Sequence, residues 1–245
     1  MTQATYDTLG EGYARQRRPD PRIAAAITDA FGDATSVINV GAGTGSYEPA
    51  DRGVLAVEPS ALMIAQRPSG SAPCVQGSAE ALSAPDDTFD AAMAILTLHH
   101  WRDWRGGLAE MRRVARQRIV VLTFDTGAAE FWLTRDYFPE ILARDRQIMP
   151  TLQALAEALG PFEATPLMVP HDCIDGFLGA CWRRPQVYLD PVARRSMSPF
   201  AAIDAEPGLE RLADDLASGA WQARNADILG LDVLDVGYRL LVWSL

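Results

Sequence analysis

The stretch that most constrains the fold of this chain is Val37–Ser46, an apolar run that ends in glycines at three alternate positions. A second apolar run, Val54–Val57, ends at Glu58. The order of strand, glycine turn, strand and acid is typical of open α/β sheets that hold an adenosine-containing cofactor. Glycine lets the backbone approach a ligand where any Cβ would collide, and a carboxylate ending the second strand can accept hydrogen bonds from ribose hydroxyls.

Bulk composition narrows the class of protein. With 245 residues, 48% of them hydrophobic, the chain can form one large α/β domain. A net charge of -10 argues against a nucleic-acid partner, and no apolar run approaches the roughly 20 residues that span a bilayer. The first residues show no secretory signal, so we expect a cytoplasmic protein. Three scattered cysteines lack the spacing of metal ligands, and no metal site is expected.

Every one of the 22 basic residues is an arginine. The chain therefore has no lysine to form a Schiff base, to complete a phosphate-binding loop or to serve a kinase.

Alternating apolar runs and helical patterns predict right-handed βαβ units. The predicted helices are Arg22–Phe31, a short one capped by Ser60, Asp103–Arg116 and Thr151–Leu159. The predicted strands are Val37–Val40, Val54–Val57, Cys74–Gln76, Phe89–Thr97, Gln117–Phe124, Phe162–Val169 and Tyr238–Trp243. Residues 171–227 are expected to be mostly helical.

The glycine spacing bears on which cofactor is bound. Dinucleotide-binding turns follow the pattern G-x-G-x-x-G, whereas this turn reads G-x-G-x-G and carries Ser46 where that pattern needs glycine. The spacing disfavours a nicotinamide dinucleotide without excluding it.

Four motifs together resemble class I S-adenosylmethionine-dependent methyltransferases, of the small-molecule type related to ubiquinone and menaquinone biosynthesis methyltransferases. The motifs are Val37–Ser46, Val54–Pro59, Gly77–Glu80 and Asp87–Leu98. The chain departs from the family in one place, because Asn39 stands where the first motif usually carries an acid that helps hold the amino end of methionine.

The resemblance implies a Rossmann-like α/β fold with a seven-stranded, mostly parallel sheet whose last strand is antiparallel, helices on both faces and a helical cap. We expect one domain over residues 1–245. Its core would comprise about residues 22–125, 150–170 and 232–245. The cap would comprise residues 1–21, 126–149 and 171–231.

The expected cofactor is S-adenosylmethionine, with S-adenosylhomocysteine as product. Glu58 would bind the ribose, the turn at Ser78 would lie beside the adenine, and Arg17 could pair with the methionine carboxylate. The residues predicted to bind the cofactor are Tyr13, Arg17, Asn39, Gly41, Ala42, Gly43, Gly45, Glu58, Pro59, Met63, Ser78, Ala79, Glu80, Leu96 and Thr97.

Methyl transfer from a sulfonium needs alignment above all, and needs a base only if the nucleophile is protonated. His99 and His100 follow the fourth strand, at the sheet edge where ligands bind. We expect His100 to be the better candidate for a general base, with His99 as its neighbour. The alternative is that these histidines only pack the loop.

Aromatic residues near the same edge are candidates for the acceptor site. Those predicted to contact substrate are Tyr6, Trp101, Phe124, Trp132 and Tyr137. The alternative for this group is aromatic packing inside the cap.

The sequence thus predicts methyl transfer to an O, N or C atom of a small organic molecule, in biosynthetic or secondary metabolism, by a monomer or homodimer. Two alternatives remain at this stage: an NAD(P)-dependent oxidoreductase and a cofactor-binding module without catalytic activity.

Overall fold

A computed structural model describes residues 17–128 and 131–245. The predicted site residues Tyr6 and Tyr13 lie outside these ranges. All structural statements below concern the described residues.

A seven-stranded sheet forms the centre of the molecule. Its strands are β1 (Ser36–Val40), β2 (Gly53–Glu58), β3 (Cys74–Gln76), β4 (Phe89–Ile95), β5 (Ala115–Phe124), β6 (Glu163–Pro166) and β9 (Tyr238–Ser244). Their spatial order is β3-β2-β1-β4-β5-β9-β6; β9 pairs antiparallel with both β5 and β6, and the other pairings are parallel. This is the predicted fold class, and the antiparallel last strand is confirmed.

Helices lie on both faces of the sheet. The α-helices are α1 (Pro21–Ala30), α2 (Ala61–Ala65), α3 (Trp104–Val114), α4 (Pro139–Ile148), α5 (Leu152–Leu159), α6 (Pro191–Arg194), α7 (Glu206–Ser218) and α8 (Ala220–Arg224). Helix α1 begins at the Asp20 cap, and α3 begins at the Asp103 cap, whose carboxylate accepts the Gly106 amide. None of the helices in the described ranges is long and apolar enough to cross a bilayer.

The central strands are buried on both faces, which explains their continuous apolar sequences. Alternate side chains of β4 and β5 enter two separate cores. Met93 and Val120 pack with α1 and the cap on one face, whereas Ala92 and Ile119 pack with α3 and α5 on the other.

Two predicted strands differ from the structure. The fourth strand ends at Ile95 and not at Thr97, because Leu96 adopts a positive φ of 53° that leaves extended geometry. The predicted strand Phe162–Val169 divides into β6 and a short strand β7 (Val169–Pro170), which pairs with β8 (Val233–Leu234) in a separate two-stranded sheet.

The cap is less helical than the sequence predicts. Between Leu178 and Ala202 it consists mainly of 3-10 turns, and Leu133–Tyr137 forms a π-helix. These segments converge on a buried aromatic cluster in which Trp132 contacts Tyr137, Tyr188 and Trp221 edge to face. Packing around these rings takes precedence over local helical preference.

One buried carboxylate ties β4 to the start of β1. An oxygen of Asp90 accepts the amide and hydroxyl of Thr35, at 2.8 and 2.7 Å, and the Ser36 amide at 3.1 Å. Its other oxygen pairs with Arg116 at 2.6 Å. The Thr35 hydrogen bonds are the main cause that lowers the pKa of Asp90 below its ordinary value of 3.8.

Replacing Asp90 with Asn should lower the free energy of unfolding by about 2–3 kcal/mol at pH 7, since hydrogen bonds to a charged acceptor are lost. A lowered folded-state pKa contributes stability above pH 3.8 that is lost as the pH falls further, so the difference between the proteins should shrink below that pH. Urea denaturation of the wild-type and variant proteins at pH 7 and pH 3.5 measures the stability difference and its decrease at low pH. The exposed Asp227→Asn variant serves as control, and a larger difference at pH 3.5 than at pH 7 would contradict the prediction.

Candidate active site

A cavity of about 550 Å³ opens at the carboxyl ends of β1, β2 and β4. Of the predicted cofactor-binding residues that the structure describes, every one lines this cavity except Gly45. His100 and Trp101 line it as well. Sequence reasoning missed four lining residues, Thr44, Ser46, Ile95 and Arg102. Ser46 could have been found, since it continues the glycine turn.

The glycine turn packs against the ends of two strands. The amides of Gly41 and Ala42 both donate to the Val57 carbonyl, at 2.9 and 3.0 Å. Gly41 has a φ of 71°, and a Cβ at this position would overlap the Thr97 hydroxyl. The positive φ and the close approach both require glycine, so the backbone itself forms this wall of the cavity.

Glu58 is the carboxylate at the end of β2, and it is only 5% exposed. One oxygen accepts the Gly43 amide at 2.8 Å, and the other accepts the Ser60 amide at 2.9 Å. Ser60 in turn caps α2 by accepting the Met63 amide. A carboxylate has about four acceptor positions, and these two amides hold Glu58 in place at the wall of the cavity.

Asn39, the departure from the family motif, is oriented by an ion pair behind it. Its amide nitrogen donates to Glu48 Oε1 at 3.0 Å. Glu48 is itself bound by Arg67, at 2.8 and 2.9 Å. An ionised carboxylate only accepts hydrogen bonds, so the nitrogen of Asn39 must face Glu48 and its carbonyl oxygen must face away from it. Neither Glu48 nor Arg67 was predicted from the sequence.

Leu96 lines the large cavity and also a smaller cavity beside it. Its positive φ of 53° is uncommon for a bulky residue and is stabilised by an amide hydrogen bond to the Leu122 carbonyl at 2.8 Å. Backbone strain of this kind concentrates at functional sites, where the surrounding structure enforces it.

A second cavity, of about 70 Å³, adjoins the first and shares Arg17, Leu96 and His100 with it. His99 and Phe124 line only this second cavity. Of the five residues predicted to contact substrate, Trp101 therefore lies at the large cavity and Phe124 at the small one.

Trp132 and Tyr137 line neither of these two cavities. The Trp132 indole donates to the Trp182 carbonyl at 2.9 Å, and the Tyr137 hydroxyl donates to Asp215 at 2.6 Å. Both rings are buried in the aromatic cluster of the cap. The structure thus does not bring them to the site, and the alternative of aromatic packing describes them.

The two histidines occupy a 3-10 turn, Leu98–His100, with ring centroids 3.8 Å apart. Burial, and then the positive charge of Arg144, lowers the pKa of His100 to about 4. The pKa of His99 is also lowered well below 6.5, chiefly by burial. Both rings are therefore neutral at pH 7, and each has one nitrogen that can accept a proton or hydrogen bond.

Arg17 lies at the boundary between the cavities, where Asp175 holds it. Its guanidinium donates to both oxygens of Asp175, at 2.8 and 3.3 Å, and the Tyr47 hydroxyl donates to the same carboxylate at 2.7 Å. The Asp175 side chain is fully buried, so the ion pair fixes the position of Arg17.

Comparison with known proteins identifies the family. A family model for a methyltransferase domain matches residues 38–122. A crystal structure from Anabaena variabilis, assigned as a methyltransferase from an antibiotic biosynthesis pathway, superposes with a TM-score of 0.86 at 36% identity. The match covers 94% of this chain and 99% of that protein. The chain belongs to the class I S-adenosylmethionine-dependent methyltransferases.

More distant solved structures share the fold alone. The YcgJ protein from Bacillus subtilis matches with a TM-score of 0.55 at 17% identity, over 91% of this chain and 97% of its own. The [4+2]-cyclase SpnF matches with a TM-score of 0.52 at 15% identity, over 91% of this chain and 79% of its own. A search of curated proteins gave no match.

The clusters of side chains in the described ranges include no group of three or more potential metal ligands. Cys74, Cys173 and Cys181 are free thiols.

Replacing Gly41 with Ala should destabilise the methyltransferase by about 3 kcal/mol, because strain at a positive φ adds to the overlap with Thr97. It should also weaken S-adenosylhomocysteine binding at least tenfold. Chemical denaturation and calorimetry measure the two effects.

Gly70→Ala is the matched control, since Gly70 has a φ of 86° and a Cβ added there would meet no heavy atom within 4 Å. That variant should lose only about 1 kcal/mol and keep full affinity. Equal losses in the two variants would show that the contact with Thr97 has no effect.

Proposed function

We propose that this methyltransferase acts on a small organic molecule, at an O, N or C atom, in a biosynthetic or secondary pathway. The observation that carries the proposal is the pair of adjoining cavities. The large one is surrounded by the glycine turn and Glu58, and the small, mostly apolar one meets it at Arg17, Leu96 and His100. A cavity of about 70 Å³ suits the reacting end of a small acceptor better than a macromolecule.

The residues of the large cavity fit S-adenosylmethionine. Gly41 presents bare backbone beside Thr97, whose hydroxyl a Cβ would overlap, and Glu58 is a carboxylate held at the cavity wall, the kind of group that accepts hydrogen bonds from ribose hydroxyls. We assign the adenine side to Ser78, Ala79 and Glu80. Bound there, the cofactor supplies a methyl group already activated by its sulfonium.

For the methionine end, we propose that the Asn39 carbonyl oxygen accepts a hydrogen bond donated by the ammonium group. The Glu48–Arg67 ion pair supports this role, since it turns the amide nitrogen of Asn39 away. Arg17 is placed to bind the carboxylate group while remaining paired to Asp175.

His100 is the proposed contact for the acceptor, because it lines both cavities. With a pKa lowered to about 4, its imidazole stays neutral at pH 7. It can therefore accept a hydrogen bond from a hydroxyl or amine and orient that group toward the methyl, although it is a weak base.

Several broader expectations accompany this proposal. The net charge of -10 supports a small-molecule partner over nucleic acid. Four expectations stay predictions: the similarity to ubiquinone and menaquinone biosynthesis methyltransferases, the cytoplasmic location, the single domain over residues 1–245, and the monomeric or dimeric state. Family membership favours methyl transfer over the oxidoreductase alternative, and a turnover assay separates it from a module that only binds cofactor.

The first test concerns Glu58. Glu58→Gln should weaken S-adenosylhomocysteine binding by about 10- to 100-fold, because its amide cannot accept both backbone amides and both ribose hydroxyls, a loss of about 1–3 kcal/mol. Isothermal titration of the wild-type and variant proteins measures it. The exposed Glu157→Gln variant should bind like wild type. Unchanged affinity in Glu58→Gln would disprove the ribose assignment.

A second test changes the hydrogen-bonded pair Asn39 and Glu48. Asn39→Asp places two carboxylates about 3 Å apart, in place of a hydrogen bond, and should weaken S-adenosylhomocysteine binding about tenfold. In Asn39→Asp/Glu48→Gln, the glutamine can donate to the new aspartate and affinity should recover. A double variant no better than the single one would refute the orienting role of Glu48.

A further inference from the structure

Asp145, on helix α4, is a buried carboxylate that the proposed chemistry does not yet use. It is 5% exposed and lines the second cavity. Among residues 17–128 and 131–245, no side chain or amide hydrogen-bonds or ion-pairs with its carboxylate, whose oxygens stay reachable from the cavity and are not among the fully enclosed atoms without a partner. Buried carboxylates in folded proteins almost always have such a partner, so this one calls for an explanation.

The surroundings of this carboxylate disfavour its ionised form. Burial raises the pKa of Asp145 to about 6, and the neighbouring positive charge of Arg144 only partly opposes it. Asp145 is consequently mostly ionised at pH 7.5 in surroundings that do not solvate it well. A ligand that brings a hydrogen-bond donor would remove this penalty.

The lining of the second cavity indicates the chemistry of such a ligand. Three phenylalanine rings, Phe124, Phe131 and Phe177, line the same cavity. The charged or titratable groups that face Asp145 there or adjoin it on α4 are Arg17, His99, His100, Tyr238, Arg144 and Arg146.

None of the polar groups in the cavity satisfies Asp145. Arg17 is bound to Asp175, and the Ser196 hydroxyl donates to the backbone. The Tyr238 hydroxyl accepts the Gly179 amide, and neither it nor the N–H groups of the neutral histidines hydrogen-bond Asp145. The Ser198 hydroxyl also lines the cavity and makes no hydrogen bond with Asp145. The cavity therefore combines an apolar, aromatic lining with an Asp145 carboxylate that accepts no hydrogen bond from its neighbours.

We propose that Asp145 binds the methyl acceptor by accepting a hydrogen bond from a hydroxyl or amine carried on an aromatic ring or other apolar body. This inference rests on the proposed small-molecule methyl transfer and narrows its substrate class. A hydroxyl-bearing and an amine-bearing acceptor share this chemistry, and the test below distinguishes them.

The binding test uses protein saturated with S-adenosylhomocysteine and three probes of similar shape: p-cresol, benzylamine and toluene. Protein-observed NMR titration should show p-cresol or benzylamine binding at least tenfold more tightly than toluene. Asp145→Leu should abolish that preference. A loss in Asp145→Asn confined to benzylamine indicates an amine acceptor, and a loss for p-cresol in Asp145→Leu indicates a hydroxyl. Equal affinity of all three probes for the wild-type protein would overturn the proposal.

A second measurement separates binding from a structural role. A folded-state pKa raised from 3.8 to about 6 costs stability as the pH rises through that window, and the cost is complete above it. Asp145→Asn should therefore raise the melting temperature of the ligand-free protein by about 4 °C at pH 7.5 and leave it unchanged at pH 3.8. A lower melting temperature at pH 7.5 would show that Asp145 supports the fold, and would refute the proposal.

Glu140→Gln is the control, because Glu140 is an exposed carboxylate on the same helix and should change neither readout. Titration with S-adenosylhomocysteine alone keeps the two hypotheses apart. If the wild-type protein fails to bind it, the cofactor assignment fails. If it binds normally and the probe preference survives in Asp145→Leu, only the role of Asp145 fails.

Discussion

The attachment of the glycine turn to the end of β2 is the interaction on which the site depends. Two consecutive amides, those of Gly41 and Ala42, share the Val57 carbonyl, and the next glycine binds the Glu58 carboxylate. These hydrogen bonds join neighbouring parallel strands where both end, so the turn cannot move without displacing Glu58. Parallel pairing places every such end at one edge of the sheet, and the cavity follows from that arrangement.

The aromatic cluster of the cap contributes packing to the fold, and its rings do not line the large cavity. Its rings pack on one face of the sheet, with Trp132 at the centre of the cluster and its indole bound to the Trp182 carbonyl. This packing supports the walls of the second cavity, including Phe131 and Phe177, without placing the largest rings inside it. Position in the cap, and not ring size, decides which aromatic residues reach the second cavity.

The strands, and the edge of the sheet where the large cavity opens, could be predicted from the sequence. Both depend on local sequence patterns. The buried strands appear as apolar runs, and the requirement for glycine is visible at Gly41 itself. Contacts between distant segments left no such pattern. The support of Asn39 by Glu48 and Arg67 depends on how the turn and α2 come together. Asp145 looks like an ordinary surface residue of a charged helix, and only burial distinguishes it.

The sequence by itself determined the fold class and the edge of the sheet where the large cavity opens, and its motifs indicated the family, since backbone geometry at glycines and strand ends is dictated by nearby residues. Tertiary structure alone decided which side chains meet there. It placed Trp132 and Tyr137 in the cap, turned the amide of Asn39 and left Asp145 facing an apolar cavity. These outcomes depend on desolvation and on partners more than a hundred residues away, such as Asp175 beside Arg17, and no local pattern encodes them.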